Sequence, residues 1–128
     1  NNDALEDFQK VAERFWPGPL TVIIPIRKNK TLKFISSDNT LGIRIPDCLT
    51  ARSLLLETGP LATSSANVSG VDTSFDAKSV SNDLPEVDLL GPIPWEECSG
   101  VGSTIIAWAK NGQWMLVREG QIPMSKII

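Results

Sequence analysis

Pro60-Leu61-Ala62-Thr63-Ser64-Ser65-Ala66-Asn67-Val68-Ser69-Gly70 leads from an apolar entry into a dense cluster of hydroxyls and one amide, and a glycine closes it. A helix over Leu49 to Thr58 is predicted just upstream, ended by Gly59 and Pro60. Leu61 to Thr63 is just long enough for a short buried strand, which would deliver the polar residues at its end. In open α/β sheets the carboxyl ends of strands are where ligands sit. Small hydroxyls and free backbone N–H groups at such a place bind phosphate or carboxylate oxygens. On composition alone, a serine-rich surface turn is an equally good reading.

Working outward, Leu5, Phe8, Val11, Ala12 and Phe15 repeat at helical spacing and predict a helix from about Asp3 to Phe15, with Asp3 and Glu6 as a capping pair. Trp16-Pro17-Gly18-Pro19 stops it, because neither proline supplies a backbone donor. Leu20 to Ile26 reads as a buried strand rich in β-branched residues. Leu41 to Pro46 reads as a second strand, with Leu41, Ile43 and Ile45 on one face and Arg44 on the other. An arginine in that setting either snorkels outward or meets an anion.

Phe75 to Asp83 predicts a short helix and Val87 to Leu90 a strand, and Gly91 to Gly102 reads as a loop. Thr104 to Ala109 and Trp114 to Arg118 predict a hairpin, with Asn111-Gly112 suggesting a type I′ turn. The tryptophans share no spacing and read as packing residues rather than a base-stacking platform. Crossovers combined with an antiparallel end predict an α/β class, a mixed sheet covered by helices.

The 128 residues suffice for one domain with a real core and not for two. A hydrophobic content of 41% with 21% charged residues is ordinary for a soluble globular chain, and no apolar run reaches the ~20 residues of a membrane span. With no histidine, a Ser-His-Asp triad, a Cys-His pair and a His-ligated zinc are excluded. Cys48 and Cys98 match no metal-ligand spacing, and a reduced, cytoplasmic setting is the simplest expectation. The net charge of -3 argues against a uniformly basic nucleic-acid surface. Arg27, Lys28, Lys30 and Lys33 form a local basic cluster whose simplest reading is a solvated loop. The polar, acidic start at Asn1, without an initiator methionine, is the opposite of a secretory signal.

Arg44, the Thr63 to Asn67 cluster, Ser103 behind Gly100 and Gly102, and Arg118 at a strand end suit a polyanionic ligand. Charge-assisted hydrogen bonds of about 1.5–3 kcal/mol each would support nucleotide binding. No carboxylate pair or histidine stands ready as a base, so the chemistry this set could assist is electrostatic, as in phosphoryl or nucleotidyl transfer.

Trp16-Pro17-Gly18-Pro19-Leu20-Thr21, Gly42-Ile43-Arg44-Ile45-Pro46-Asp47, Thr63-Ser64-Ser65-Ala66-Asn67-Val68-Ser69-Gly70, Gly102-Ser103-Thr104-Ile105-Ile106 and Val117-Arg118-Glu119-Gly120 occur in the order seen in the YrdC/Sua5 family. The chain therefore resembles the threonylcarbamoyl-AMP synthases of tRNA modification from about Ala4 to Ile122. The resemblance implies a YrdC-like twisted mixed α/β sheet flanked by helices, with a concave face. It also implies an enzyme, an L-threonylcarbamoyladenylate synthase that forms threonylcarbamoyl-adenylate and pyrophosphate from L-threonine, bicarbonate and ATP. Magnesium would accompany ATP, and tRNA or tRNA-modification proteins would be partners.

Carried over residue by residue, Arg44, Thr63 and Ser103 would line the threonine side. Thr40, Ser65, Thr73 and Arg118 would line the ATP side, while Asn67 fixes its loop and Thr21 is a strand residue first. No single residue is assigned as catalytic. The family's amino-terminal basic portion has no counterpart here, and its histidine after the Arg-x-Pro-x motif is Cys48, so residues 1–128 read as a single, partial, amino-terminally truncated YrdC-like domain. Two alternatives stand beside this one: a non-catalytic nucleotide- or RNA-binding relic of the fold, and a carbamoyl-adenylate-forming relative.

Overall fold

The computed structural model describes residues 2–27, 36 and 38–128, except the side chains of residues 2 and 3, so the Asp3–Glu6 capping pair lies outside it. Lys28, Lys30 and Lys33 of the basic cluster also lie outside the described residues, and Arg27 is exposed.

Helix α1 (Asn2–Phe15) leads into strand β1 (Leu20–Pro25), followed by β2 (Thr40–Ile43) and α2 (Leu49–Thr58). A long irregular connection carries α3 (Ala77–Asp83), and the chain ends with β3 (Thr104–Trp108), β4 (Trp114–Arg118) and a 3-10 turn at Met124–Lys126. The sheet order is β2-β1-β3-β4. The inner pair β1 and β3 is parallel, and both outer pairs are antiparallel. This is the twisted mixed sheet flanked by helices that the sequence implied.

Period-two alternation assigns the two sheet faces. Leu20, Val22, Thr104 and Ile106 are fully buried on one face. Val11 from α1 and Ile127 complete that core with Leu20, Val22 and Ile106, and Phe8, Phe15, Trp16, Trp114 and Met124 pack against it. Phe8, Val11 and Phe15 thus share the helix side that meets the sheet, while Leu5, at the start of the same stripe, is 59% exposed. The opposite face carries Thr21, Ile23, Ile105 and Ala107, all half-buried. Met115 (55% exposed) and Val117 (54%) continue it onto β4. We call it the open face.

Three expectations are corrected. Leu61 to Thr63 is not a strand, and Leu61 is 48% exposed. Three residues gain few ladder bonds, and this segment pairs with neither edge strand, although the outer edges of β2 and β4 have no partner among the described residues. Val87 to Leu90 is likewise irregular and adds no strand to either edge. The hairpin is not type I′: Gly112 adopts φ 81°, but Asn111 is not among the positive-φ residues. Gly112 N donates to Ala109 O at 3.0 Å and Ala109 N to Gln113 O at 2.9 Å. This makes a three-residue loop, Lys110 to Gly112, that needs a positive φ only at its last position, where the glycine stands.

Helix α3 begins at Ala77 rather than Phe75 because Asp76 caps it, its Oδ1 accepting from Ser79 N at 2.7 Å. That hydrogen bond holds the Asp76 carboxyl below its ordinary value of 3.8. A carboxylate whose folded pKa is depressed contributes its stabilisation above the unfolded value and loses it as pH falls through the folded one. The Ser79 amide is therefore expected to lose exchange protection below pH 3.8, before the β1 and β3 amides do. Simultaneous loss in a pH series of amide-exchange spectra would assign the capping bond no separate role.

Candidate functional site: two arginines on the open face

Arg44 follows directly on the carboxyl end of β2 and Arg118 ends β4. Because both outer strands run antiparallel to the inner pair, these two ends lie beside the amino ends of β1 and β3. The site is thus at the amino end of the parallel pair, not at the carboxyl end expected for an open parallel sheet. Antiparallel edges reverse the rule, because the functional residues come from the edges.

Arg44 reaches the open face by simple alternation. A Cβ on Gly42 would lie 3.7 Å from Thr21 Cγ2 and 3.8 Å from Ile23 Cγ1, which places position 42 over the open face, and Arg44 is two residues on. Arg118 would point the other way but for a β-bulge. Ala107 pairs with Met115 and Ile106 with Leu116, yet Ile105 pairs with Arg118 rather than Val117. One extra residue, Val117, shifts the alternation and turns Arg118 onto the side of Met115 and Val117. The bulge therefore delivers the second guanidinium.

Each arginine is then anchored on a carbonyl just before an inner strand. Arg44 Nε donates to Gly18 O at 3.1 Å. Arg118 donates to Ser103 O from Nε at 3.2 Å and from Nη2 at 2.8 Å, with Nη2 also 3.4 Å from Ser103 Oγ. Ser103, itself buried, shares a 2.8 Å hydrogen bond between its Oγ and Thr21 Oγ1. Gly102 is glycine for a physical reason: a Cβ there would meet Arg118 Nη2 at 2.9 Å. On the other side, Gly18 N donates to Ile45 O at 2.9 Å and Thr104 N to Pro19 O at 3.0 Å, so the Pro17-Gly18-Pro19 corner ties all three strands together.

Electrostatics give this cluster its character. The Arg44 side chain is exposed overall, but its guanidinium is shielded enough that burial pulls its pKa down, and the charge of Arg118 pulls it further. Both causes disfavour the cation, and the attraction of an anion placed between the groups would offset both. Among the described residues the ion pairs are Lys10–Asp7 and Arg52–Asp47, and neither arginine of the site takes part in one. Guanidiniums with donors left over after their carbonyl anchors have the donor geometry that suits a carboxylate or phosphate.

The other expected residues lie outside these hydrogen bonds. Thr40 is at the far end of β2, roughly 13 Å along the chain from Arg44 at strand rise, and its Oγ1 donates to Asp38 Oδ1 at 2.8 Å. Thr63, Ser65 and Thr73 are exposed in the irregular connection between α2 and α3. Asn67 fixes this loop as expected, donating from Nδ2 to Val68 O at 3.1 Å and Val71 O at 2.9 Å. The structure thus brings together Arg44, Ser103 and Arg118. It adds Thr21, which sequence reasoning placed in the strand first, and the Gly18 carbonyl, which leaves no side-chain signal.

The arginine pair and the buried Ser103 hydroxyl lie on one face of a mixed-sheet α/β domain. The comparisons give that class its family. Residues 2–120 match the model of the Sua5/YciO/YrdC family, described as "Telomere recombination", and the chain belongs to it. The threonylcarbamoyl-AMP synthase of Bacillus subtilis is 33% identical over 127 residues, covering 97% of this chain and 36% of that protein. That of Pyrococcus abyssi is 32% identical over 130 residues, covering 95% and 36%. The crystal structure of P. abyssi Sua5 complexed with L-threonine superposes with a TM-score of 0.80 at 32% identity, over 95% of this chain and 36% of that one. A relative in Methanocaldococcus jannaschii is covered to 55%, so the chain spans between about a third and a half of the relatives it matches.

Proposed function

We propose that this chain supplies the substrate-anion receptor of a threonylcarbamoyl-AMP synthase. The observation that carries the reading is the convergence of Arg44 and Arg118 about Ser103, each held by a backbone carbonyl and neither neutralised by a carboxylate. Arg44 takes the carboxylate of L-threonine, and Ser103, oriented by Thr21, hydrogen-bonds the same substrate. Arg118 faces the phosphates of ATP. The reaction is a nucleotidyl transfer: the carbamate formed from threonine and bicarbonate attacks the α-phosphorus, and pyrophosphate leaves. The residues contribute by holding charge and orientation rather than by moving protons.

No group of three or more potential metal ligands occurs among the described residues, so magnesium in this scheme arrives with ATP as part of the substrate. Thr40, Ser65 and Thr73 remain proposed ATP contacts, and Thr63 a proposed threonine contact. The adenylate would pass to proteins of tRNA modification. Among the described residues no helix is long and apolar enough to cross a membrane.

Titration of the protein with L-threonine, followed by calorimetry, tests this function. Saturable heat that D-threonine does not reproduce is the expected result, and identical or absent heats for the two enantiomers contradict it. ATP alone is expected to bind only in the millimolar range or more weakly. Two guanidiniums offer roughly 3–6 kcal/mol of charge-assisted bonding, and association costs about 4 kcal/mol or more. Low-micromolar ATP binding in the same calorimeter would show that more cationic donors reach the phosphates than these two.

A further inference from the structure

We infer that Thr104, which touches neither proposed substrate, is the positioning residue that holds Arg118 on the open face. This rests on the arginine-pair reading of the site for its purpose, though not for its geometry.

Thr104 is fully buried and lies on the α1 side of the sheet, facing away from the site. Its hydroxyl is saturated by the segment that follows Arg118. Oγ1 accepts from Gly120 N at 2.9 Å and from Ile122 N at 3.0 Å, and donates to Ile122 O at 2.6 Å. A donor and two acceptor sites are all a hydroxyl has, so the fit is complete. Gln121 adds its N to Gly102 O at 3.2 Å and its Nε2 to Val101 O at 2.7 Å. At Gly120 the two backbones lie so close that a Cβ would sit 2.5 Å from Ser103 C and 2.6 Å from Thr104 N.

Two consecutive residues therefore clamp both sides of one short stretch. Ser103 O grips the Arg118 guanidinium, and the Thr104 hydroxyl grips the backbone two and four residues further on. The bulge that sets which way Arg118 points lies just ahead of both grips, between them and the regular ladder of β4. A slip of one residue in the return would remove the bulge and send Arg118 to the α1 face, because strand side chains alternate. The Thr104 hydroxyl opposes that slip, since its three bonds are satisfied in one register only. A valine there has the same shape and would keep the packing, but would leave the Gly120 and Ile122 amides without their acceptor.

The test is proton exchange at the two arginine Nε–H groups, followed by nitrogen-15 NMR in wild type, T104V and T104S. In T104V the Arg118 Nε–H is expected to exchange at least tenfold faster while the Arg44 Nε–H, anchored on Gly18, keeps its wild-type rate. T104S restores the slow rate. A merely structural role for Thr104 would speed both arginines alike, and that result, or no change at either, overturns the proposal. Should T104V not fold, wild-type exchange decides. The Arg118 Nε–H is then expected to open with the same denaturant dependence as the Gly120 and Ile122 amides, as one unit, and independent opening overturns the proposal.

Titration with inorganic pyrophosphate separates this inference from the reading beneath it. The expected result is binding to wild type that weakens about tenfold in T104V, with no further loss when Thr104→Val is added to R118A. A selective Arg118 exchange effect without any pyrophosphate binding would keep Thr104 as the positioning residue and overturn the anion-site reading. Additive losses in the double variant would show that Thr104 does not act through Arg118.

Discussion

Gly120→Ala is expected to lower the Tm by roughly 10 °C. The new methyl group would run into the carbonyl oxygen of Gly102, the carbonyl carbon of Ser103 and the nitrogen of Thr104. All three are backbone atoms of a segment tied to the inner strand β3, so no side chain can swing aside. The return after β4 must move instead. That movement breaks the bonds of Gly120 N and Ile122 N to Thr104 Oγ1, leaving a fully buried hydroxyl unsatisfied. Overpacking of this kind costs about 3 kcal/mol at the upper end of its usual range, and the lost hydrogen bonds act in the same direction. Thermal unfolding by circular dichroism measures the effect. A drop of under 2 °C would mean that the return segment is free to adjust and is no clamp. Gly112→Ala is a useful contrast: a Cβ there meets nothing within 4 Å, and only its φ of 81° opposes the change.

Arg44→Ala is expected to abolish L-threonine binding, by roughly a hundredfold or more, without loss of stability. A carboxylate held by a guanidinium gains about 1.5–3 kcal/mol for each charge-assisted bond, and two such bonds account for that factor. Stability should hold because the Arg44 cation is disfavoured in the fold, first by burial and then by Arg118. Its removal ends that repulsion and gives up one bond, to Gly18 O. Calorimetry and thermal unfolding of the same preparation check both halves. Retained threonine affinity would remove Arg44 from the site, and a large stability loss would make it a structural residue. Arg44→Lys separates charge from geometry: an ammonium keeps the charge but not the fork, and should recover only part of the affinity.

The sheet-forming segments were legible wherever a segment's own pattern met a partner. The β-branched run at Leu20, the apolar stripe of α1 and the Trp114–Arg118 strand are each self-consistent, and each finds a neighbour or a face to cover. Leu61–Thr63 and Val87–Leu90 fail because strand formation depends on pairing and packing partners far along the chain, which local sequence does not encode. The hairpin turn was mistaken because Asn-Gly suits two different loops, and the register of β4 chose the three-residue one.

The site was half legible. Arg44 and Arg118 announce themselves as charges on strand ends. Their meeting depends on a bulge at Val117 and on carbonyls at Gly18 and Ser103, and backbone groups carry no sequence signature. Thr104 was hidden for a related reason: it reads as an ordinary strand residue, although its hydroxyl organises the segment that holds Arg118. The Thr63 to Gly70 run, the richest in polar groups, is mostly exposed and joins no strand.

The most direct measurement follows the Arg44 and Arg118 Nε–H resonances and the Ser103 amide through a titration with L-threonine. Our account predicts that all three shift along one saturation curve, with Arg44 moving most, while Thr40 at the far end of β2 stays still. Saturation that leaves Arg44 and Ser103 unmoved, with the changes gathered elsewhere on the chain, would contradict it.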